Sequence, residues 1–168
     1  MYDSCNRLIN YLRISVTDRC NLRCTYCMPP EGVEKKRHDQ LLTLEELALA
    51  ARAAGNLGIT KVRLTGGEPL VRHGIVELVS MIAAIPEIRH LGMTTNGTLL
   101  APLAETLKQA GLDSINISLD TLDPDRYRQM TRGGRIEDAL AGIRAAVACG
   151  FPVKINMVIF PETTGDEM

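Results

Sequence analysis

LRISVTDRCNLRCTYC, residues 12–27, passes from an alternating stretch into an irregular one that holds three cysteines. Leu12, Ile14 and Val16 alternate with Arg13 and Ser15, the period of two that marks a β-strand with one apolar and one polar face. Beyond it, the loop Thr17 to Pro30 carries Cys20, Cys24 and Cys27 at CxxxCxxC spacing. Three thiolates are one short of a structural zinc site, and also one short of the set that normally holds an iron–sulfur cluster. His38 could supply a fourth zinc ligand, but the chain has no second CxxC. A [4Fe-4S] cluster held by three cysteines leaves one iron open, and the missing ligand can then be a substrate or cofactor.

Outward from this stretch the alternation returns four times. Strands are predicted over about 10–16, 61–65, 89–95, 113–119 and 153–159. Val62 and Leu64 oppose Lys61, Arg63 and Thr65; Leu91 and Met93 oppose His90 and Thr94. Ile115, Ile117 and Leu119 oppose Ser114, Asn116, Ser118 and Asp120, while Val153, Ile155 and Met157 oppose Lys154 and Asn156. Helical patterns lie between them. Thr43 and Glu46 form a capping box that opens a helix ending near Gly58, and further helices are predicted over about 74–84, 100–110 and 136–149, with a short one capped by Asp123 before Pro124. Strands alternating with helices indicate an α/β fold with a parallel sheet. One polar sheet face is unusual for parallel strands covered on both sides. The expectation is therefore helices on one face only, with the sheet curled around a polar, partly cationic lumen suited to an anionic ligand; an antiparallel sheet with one wet face is the alternative. In βα barrels the loops after the strands build the active site, which is where the cysteine loop falls.

Composition limits the rest. With 168 residues and 45% hydrophobic content, one domain with a full core is expected, and a formal net charge of -1 argues against an extended nucleic-acid or membrane surface. No apolar run approaches the roughly 18 residues of a membrane span, so a cytoplasmic location is expected. Five cysteines with three in one loop point to metal ligation or catalysis rather than bridges. Cys149 reads as a small core residue on a helix, and Cys5 as part of the N-terminal segment.

The CxxxCxxC loop after the first strand, with Tyr26 just before its last cysteine, and the TGGEP turn at 65–69 after the second strand resemble the radical S-adenosylmethionine (SAM) superfamily. The resemblance implies an incomplete (β/α) TIM-like barrel with helices on the outside and a [4Fe-4S] cluster on Cys20, Cys24 and Cys27. It also implies SAM chelated to the open iron, and one-electron cleavage of its sulfonium to a 5′-deoxyadenosyl radical. Tyr26, Gly66, Gly67, Glu68 and Ser118 are then the SAM contacts. Zinc in a non-catalytic interaction module is the competing reading.

Several segments, among them KVRLTGGEPLVR at 61–72, TTNG at 94–97, MTRGG at 130–134 and VKINMVI at 153–159, resemble the branch of the superfamily that cyclises GTP on the way to the molybdenum cofactor. That branch implies Arg13, Arg63, Thr94 and Lys154 as GTP contacts, all four on the polar face that the alternation defines, with Lys61, Arg72 and His73 near enough to add to the field. A structural ion pair with Glu68 or Asp120 is the alternative role for these cations. The resemblance further implies a flavodoxin-like electron donor and allows a homodimer. Family chains are about twice as long and carry a second cluster in their C-terminal region, so the expectation is an N-terminal part, 1–168, of a radical SAM core that binds a cluster and SAM but can fail to cyclise GTP alone. Another radical SAM enzyme, acting on a peptide or sulfatase, shares the cysteines and the GGEP turn but does not need Arg13 and Arg63.

Overall fold

The computed structural model describes residues 2–34, 37 and 40–160. Five strands make one open parallel sheet in chain order: β1 Tyr11–Ser15, β2 Lys61–Thr65, β3 His90–Thr95, β4 Ser114–Ser118 and β5 Val153–Asn156. Every pairing is parallel, which removes the antiparallel alternative. The connections carry α1 Leu44–Asn56, α2 Ile75–Ala83, α3 Ala104–Gln109, α4 Pro124–Thr131 and α5 Ile136–Ala148.

Alternation decides which face is covered. Ile14, Val62, Leu64, Leu91, Met93, Ile115 and Ile117 are buried, together with Leu78, Val79 and Ile82 of α2 and Leu107 of α3 in one apolar cluster. Burying each such side chain is worth about 1.5–3 kcal/mol, enough to fix the strand register, since a one-residue slip would expose the whole set. The intervening Arg13, Arg63, Thr94, Asn116, Ser118 and Lys154 stay at least partly exposed. Register aligns them in rows. Arg13 lies opposite Arg63 and then Gly92, while Thr94 lies opposite Asn116 and then Lys154.

The capping box of α1 forms as expected: Glu46 N–H donates to Thr43 Oγ1 at 3.2 Å and Thr43 N–H to Glu46 Oε2 at 2.8 Å. Asp123 caps α4 by accepting from Arg126 N–H at 2.7 Å. Two expected boundaries move. Residues 100–103 form turns, with Leu100 N–H on Gly97 O and Leu103 N–H on Leu100 O, so α3 starts only at Ala104. β5 ends at Asn156 rather than near 159, because Val158 N–H leaves the ladder for Asp120 Oδ1 at 2.9 Å. At this sheet edge Ile155 is 49% exposed, so the covered apolar face thins out there. Cys149 packs partly against the core and donates from Sγ to Glu105 Oε2 at 3.4 Å; Cys5 is exposed. Among the described residues, no helix is long and apolar enough to cross a membrane.

Candidate active site

The cysteine loop leaves the sheet at Val16, whose N–H still bonds Thr65 O at 2.9 Å. The turn after β2 then docks against it: Gly67 N–H donates to Thr17 O and Glu68 N–H to Arg19 O, both at 2.8 Å. This docking explains the glycines. Gly66 has φ of 152°, and a Cβ there would lie 2.5 Å from Thr17 O; one on Gly67 would lie 2.4 Å from Arg19 O. Close approach of two backbones thus requires glycine at both positions.

The three cysteines sense one another. Burial pushes the Cys24 thiol up to about 11, reinforced by the neighbouring charges of Cys20, Asp120 and Cys27. Cys20 is raised by burial too, with the Leu22 amide on its sulfur at 3.4 Å acting the other way. Cys24 O accepts from Cys27 N–H and Met28 N–H, both at 3.0 Å, which makes the tight turn that brings Cys27 back. Thiolates that repel each other are stabilised by bound cations, and soft sulfur donors select iron–sulfur clusters or zinc. Among the described residues no three His, Cys, Asp or Glu side chains are grouped as ligands of a single ion; three thiolates that each take a different iron of a cluster need no such convergence. His38 lies outside the described residues. The donor set thus fits a cluster held by three cysteines.

Glu68 is 1% exposed. Its Oε1 accepts from Leu70 N–H at 3.0 Å and Thr95 Oγ1–H at 2.7 Å, and its Oε2 from Asn96 N–H at 2.7 Å. Burial raises its pKa, and these bonds oppose the rise. The carboxylate therefore locks the β2 turn to the β3 loop. From that loop Asn96 Nδ2 donates to Asn21 Oδ1 at 2.9 Å and reaches Cys20 Sγ at 4.0 Å, and Asn21 Nδ2 donates to Thr98 Oγ1 at 2.8 Å.

Across the site, Tyr26 O–H donates to Asp120 Oδ2 at 2.6 Å, and its ring lies 5.6 Å from that of Phe160. Burial and the Asp120 bond push the phenol pKa well up. Tyr26 keeps 45% of its surface exposed, and Ser118 ends β4 half-buried. The segment 130–132 braces the cysteine loop from a third side: Arg23 N–H donates to Thr131 O at 3.1 Å, Thr25 N–H to Met130 O at 2.8 Å, and Arg132 Nη1 to Arg23 O at 2.9 Å and Met28 O at 2.6 Å. Sequence reasoning gave Asn21, Asn96, Asp120 and Arg132 no such roles. The TTNG and MTRGG segments contain Asn96 and Arg132, the cysteine loop contains Asn21, and Asp120 lies on the polar face of the fourth strand.

Among the described residues Arg13, Arg63 and Lys154 form no ion pair, and both candidate carboxylates are engaged elsewhere, Glu68 as above and Asp120 with Tyr26 and Val158. Arg63 Nη1 donates to Met93 O at 3.1 Å and its guanidinium lies over Gly92. Arg72 behaves differently: its Nη2 donates to Leu42 O at 2.8 Å, and with His73 it lines a hollow beside Thr43 and Glu45.

The model of the radical SAM superfamily matches residues 14–168. The GTP 3′,8-cyclase of Moorella thermoacetica is 56% identical over 100% of this chain and 52% of its own length, and that of Alkaliphilus oremlandii 53% identical over 100% and 53%. The chain thus spans about half the length of the curated relatives it matches. Among solved structures, Streptococcus suis SuiB bound to S-adenosylmethionine aligns with TM-score 0.74 at 19% identity, over 94% of this chain and 34% of that one. Methylornithine synthase aligns with TM-score 0.70 at 20% identity, over 88% and 44%.

Proposed function

The chain belongs to the radical SAM superfamily, and on that premise we propose that its activity is that of a GTP 3′,8-cyclase, a lyase of molybdenum-cofactor biosynthesis. Its cofactors are a [4Fe-4S] cluster and S-adenosylmethionine. Cys20, Cys24 and Cys27 hold the cluster, and the Gly66–Gly67–Glu68 turn, Tyr26 and Ser118 face the cofactor. One electron from the cluster, when bound, cleaves the sulfonium of S-adenosylmethionine.

The residues of this chain do the positioning. Arg13 and Arg63 take phosphate oxygens of GTP, for which the planar guanidinium fork is suited. Thr94 and Lys154, one row along, reach the same nucleotide from β3 and β5. The ribose is held so that the 5′-deoxyadenosyl radical would take a hydrogen atom from C3′ and leave as 5′-deoxyadenosine; the C3′ radical would then bond to C8 of its own guanine, and the resulting purine radical would take one electron from a reductant and one proton from solvent to give 3′,8-cyclo-7,8-dihydro-GTP. Glu68 and Asp120 keep the cysteine loop in place, and the duties of this chain are positioning and shielding. A flavodoxin-like protein supplies the electron, in the cytoplasm.

The observation that carries the reading is the pair of arginines on the open polar face, which have no carboxylate partner among the described residues. A radical SAM enzyme for peptides has no call for two such cations. Calorimetric titration of the chain with GTP tests it: specific binding is expected, weakened roughly 10- to 100-fold in Arg63→Ala, the range for a lost charge-assisted bond. Indifference of the wild type to GTP would remove the substrate assignment.

A further inference from the structure

We propose that Arg132 is a positioning residue that holds Cys24 and Cys27 in the arrangement that takes the cluster, an inference that rests on the radical SAM reading above. Its Nη1 alone bonds the carbonyls of Arg23 and Met28, the residues just outside the Cys24–Cys27 turn, at 2.9 and 2.6 Å. A terminal guanidinium nitrogen carries two hydrogens, so both bonds form at once. Two backbone bonds beside it, from Arg23 N–H and Thr25 N–H to Thr131 O and Met130 O, complete the brace.

The brace is anchored in the fold. Thr131 is 5% exposed, donates from Oγ1 to Tyr127 O at 2.7 Å and accepts from Gly134 N–H at 3.0 Å. Tyr127 in turn packs with Leu119, Ile136 and Ala139 in a separate apolar cluster. Position therefore passes from that cluster through α4 to Cys24 and Cys27. Cys20 is held by the turn after β2 and by Asn96, and its carbonyl also accepts from Arg23 Nη1 at 2.8 Å. The relative placement of the three thiols thus depends on two supports joined through Arg23, and Arg132 is the side chain that braces the Cys24–Cys27 turn. Its backbone sits at φ 54°, a left-handed conformation that disfavours an ordinary side chain. Gly133 after it also has a positive φ, 113°, which costs a glycine little, whereas the arginine keeps its side chain in the strained region.

The test compares wild type, Arg132→Gly and Arg132→Lys in the full 168-residue chain. Glycine accepts the left-handed backbone, so relief of that strain offsets loss of the side chain and its two hydrogen bonds, and the melting temperature should change little. In cluster-free protein, amide exchange at Arg23 and Thr25 should rise at least ~10-fold in Arg132→Gly with β2, β3 and β4 unchanged, because opening of the brace exposes both N–H groups. After anaerobic reconstitution, iron should pass to a chelator at least ~10-fold faster from Arg132→Gly, with Arg132→Lys intermediate, since an ammonium can still donate to one or both carbonyls. Wild-type exchange at Arg23 and Thr25 in Arg132→Gly, or wild-type iron loss, would overturn the role of Arg132. A wild-type chain that takes up no cluster would instead overturn the radical SAM reading itself, and the cluster-free exchange would still show whether the brace exists.

Discussion

Arg13 and Arg63 stand directly opposite each other across the β1–β2 ladder, and among the described residues neither is paired with a carboxylate. Neighbouring strands lie about 4.8 Å apart, so two like charges in register repel in the free protein. Such an arrangement costs stability unless an anion sits on it. Arg13→Ala should therefore leave the melting temperature of nucleotide-free protein unchanged or slightly raised, within about 0.5 kcal/mol, and should abolish most of the stabilisation that GTP gives the wild type. A loss of more than about 1 kcal/mol without nucleotide would mark Arg13 as a structural residue instead.

Gly92 sets the place of Arg63. A Cβ on Gly92 would lie 2.9 Å from Arg63 Nη2 and 3.1 Å from Ser114 Oγ. The arginine tip is flexible, so Gly92→Ala should fold, yet it should push the guanidinium off its seat at Met93 O. GTP affinity is expected to fall roughly 3- to 30-fold, a loss of part of one charge-assisted bond, with the circular dichroism spectrum unchanged. Unaltered GTP binding in Gly92→Ala would mean that the seat of Arg63 is immaterial.

Glu68 gives a pH signature. Its folded-state pKa is raised above the ordinary 4.5 by burial, so the folded chain holds the proton more tightly than the unfolded one. The stability it contributes is present below about pH 4.5 and is lost as pH rises through the raised value. Glu68→Gln cannot titrate, and its amide nitrogen would face an N–H donor, which costs about 1–3 kcal/mol. In cluster-free protein the advantage of wild type over Glu68→Gln should thus be largest at low pH and shrink as pH climbs past 4.5. Denaturant midpoints across that range check it; an advantage that grows with pH would reverse the sign assigned here.

The fold was legible because its signals are local and periodic. Leu12, Ile14 and Val16 against Arg13 and Ser15 need only the strand period, and the Thr43–Glu46 capping box needs only three residues of spacing. The end of β5 was not legible, since it depends on Asp120 drawing Val158 out of the ladder. The same limit applies to the site. The cysteines, the GGEP turn and the arginines carry their chemistry in their own side chains and spacing. Asn96, Asp120 and Arg132 act through partners 75, 94 and 104 to 109 residues away, and no period in the chain announces such contacts. The close approach of Gly66 and Gly67 to the Thr17 and Arg19 carbonyls was equally invisible in the sequence, since it joins the turn to a loop about 48 residues away.

The central claim is that Cys20, Cys24 and Cys27 hold a cluster with one iron open to S-adenosylmethionine. Electron paramagnetic resonance of the anaerobically reconstituted, dithionite-reduced chain, recorded with and without S-adenosylmethionine, tests it most directly. A reduced [4Fe-4S] signal that changes shape on addition of the cofactor, and that is lost when any of the three cysteines is replaced by alanine, is the predicted result. A silent sample that carries zinc and no sulfide would contradict it.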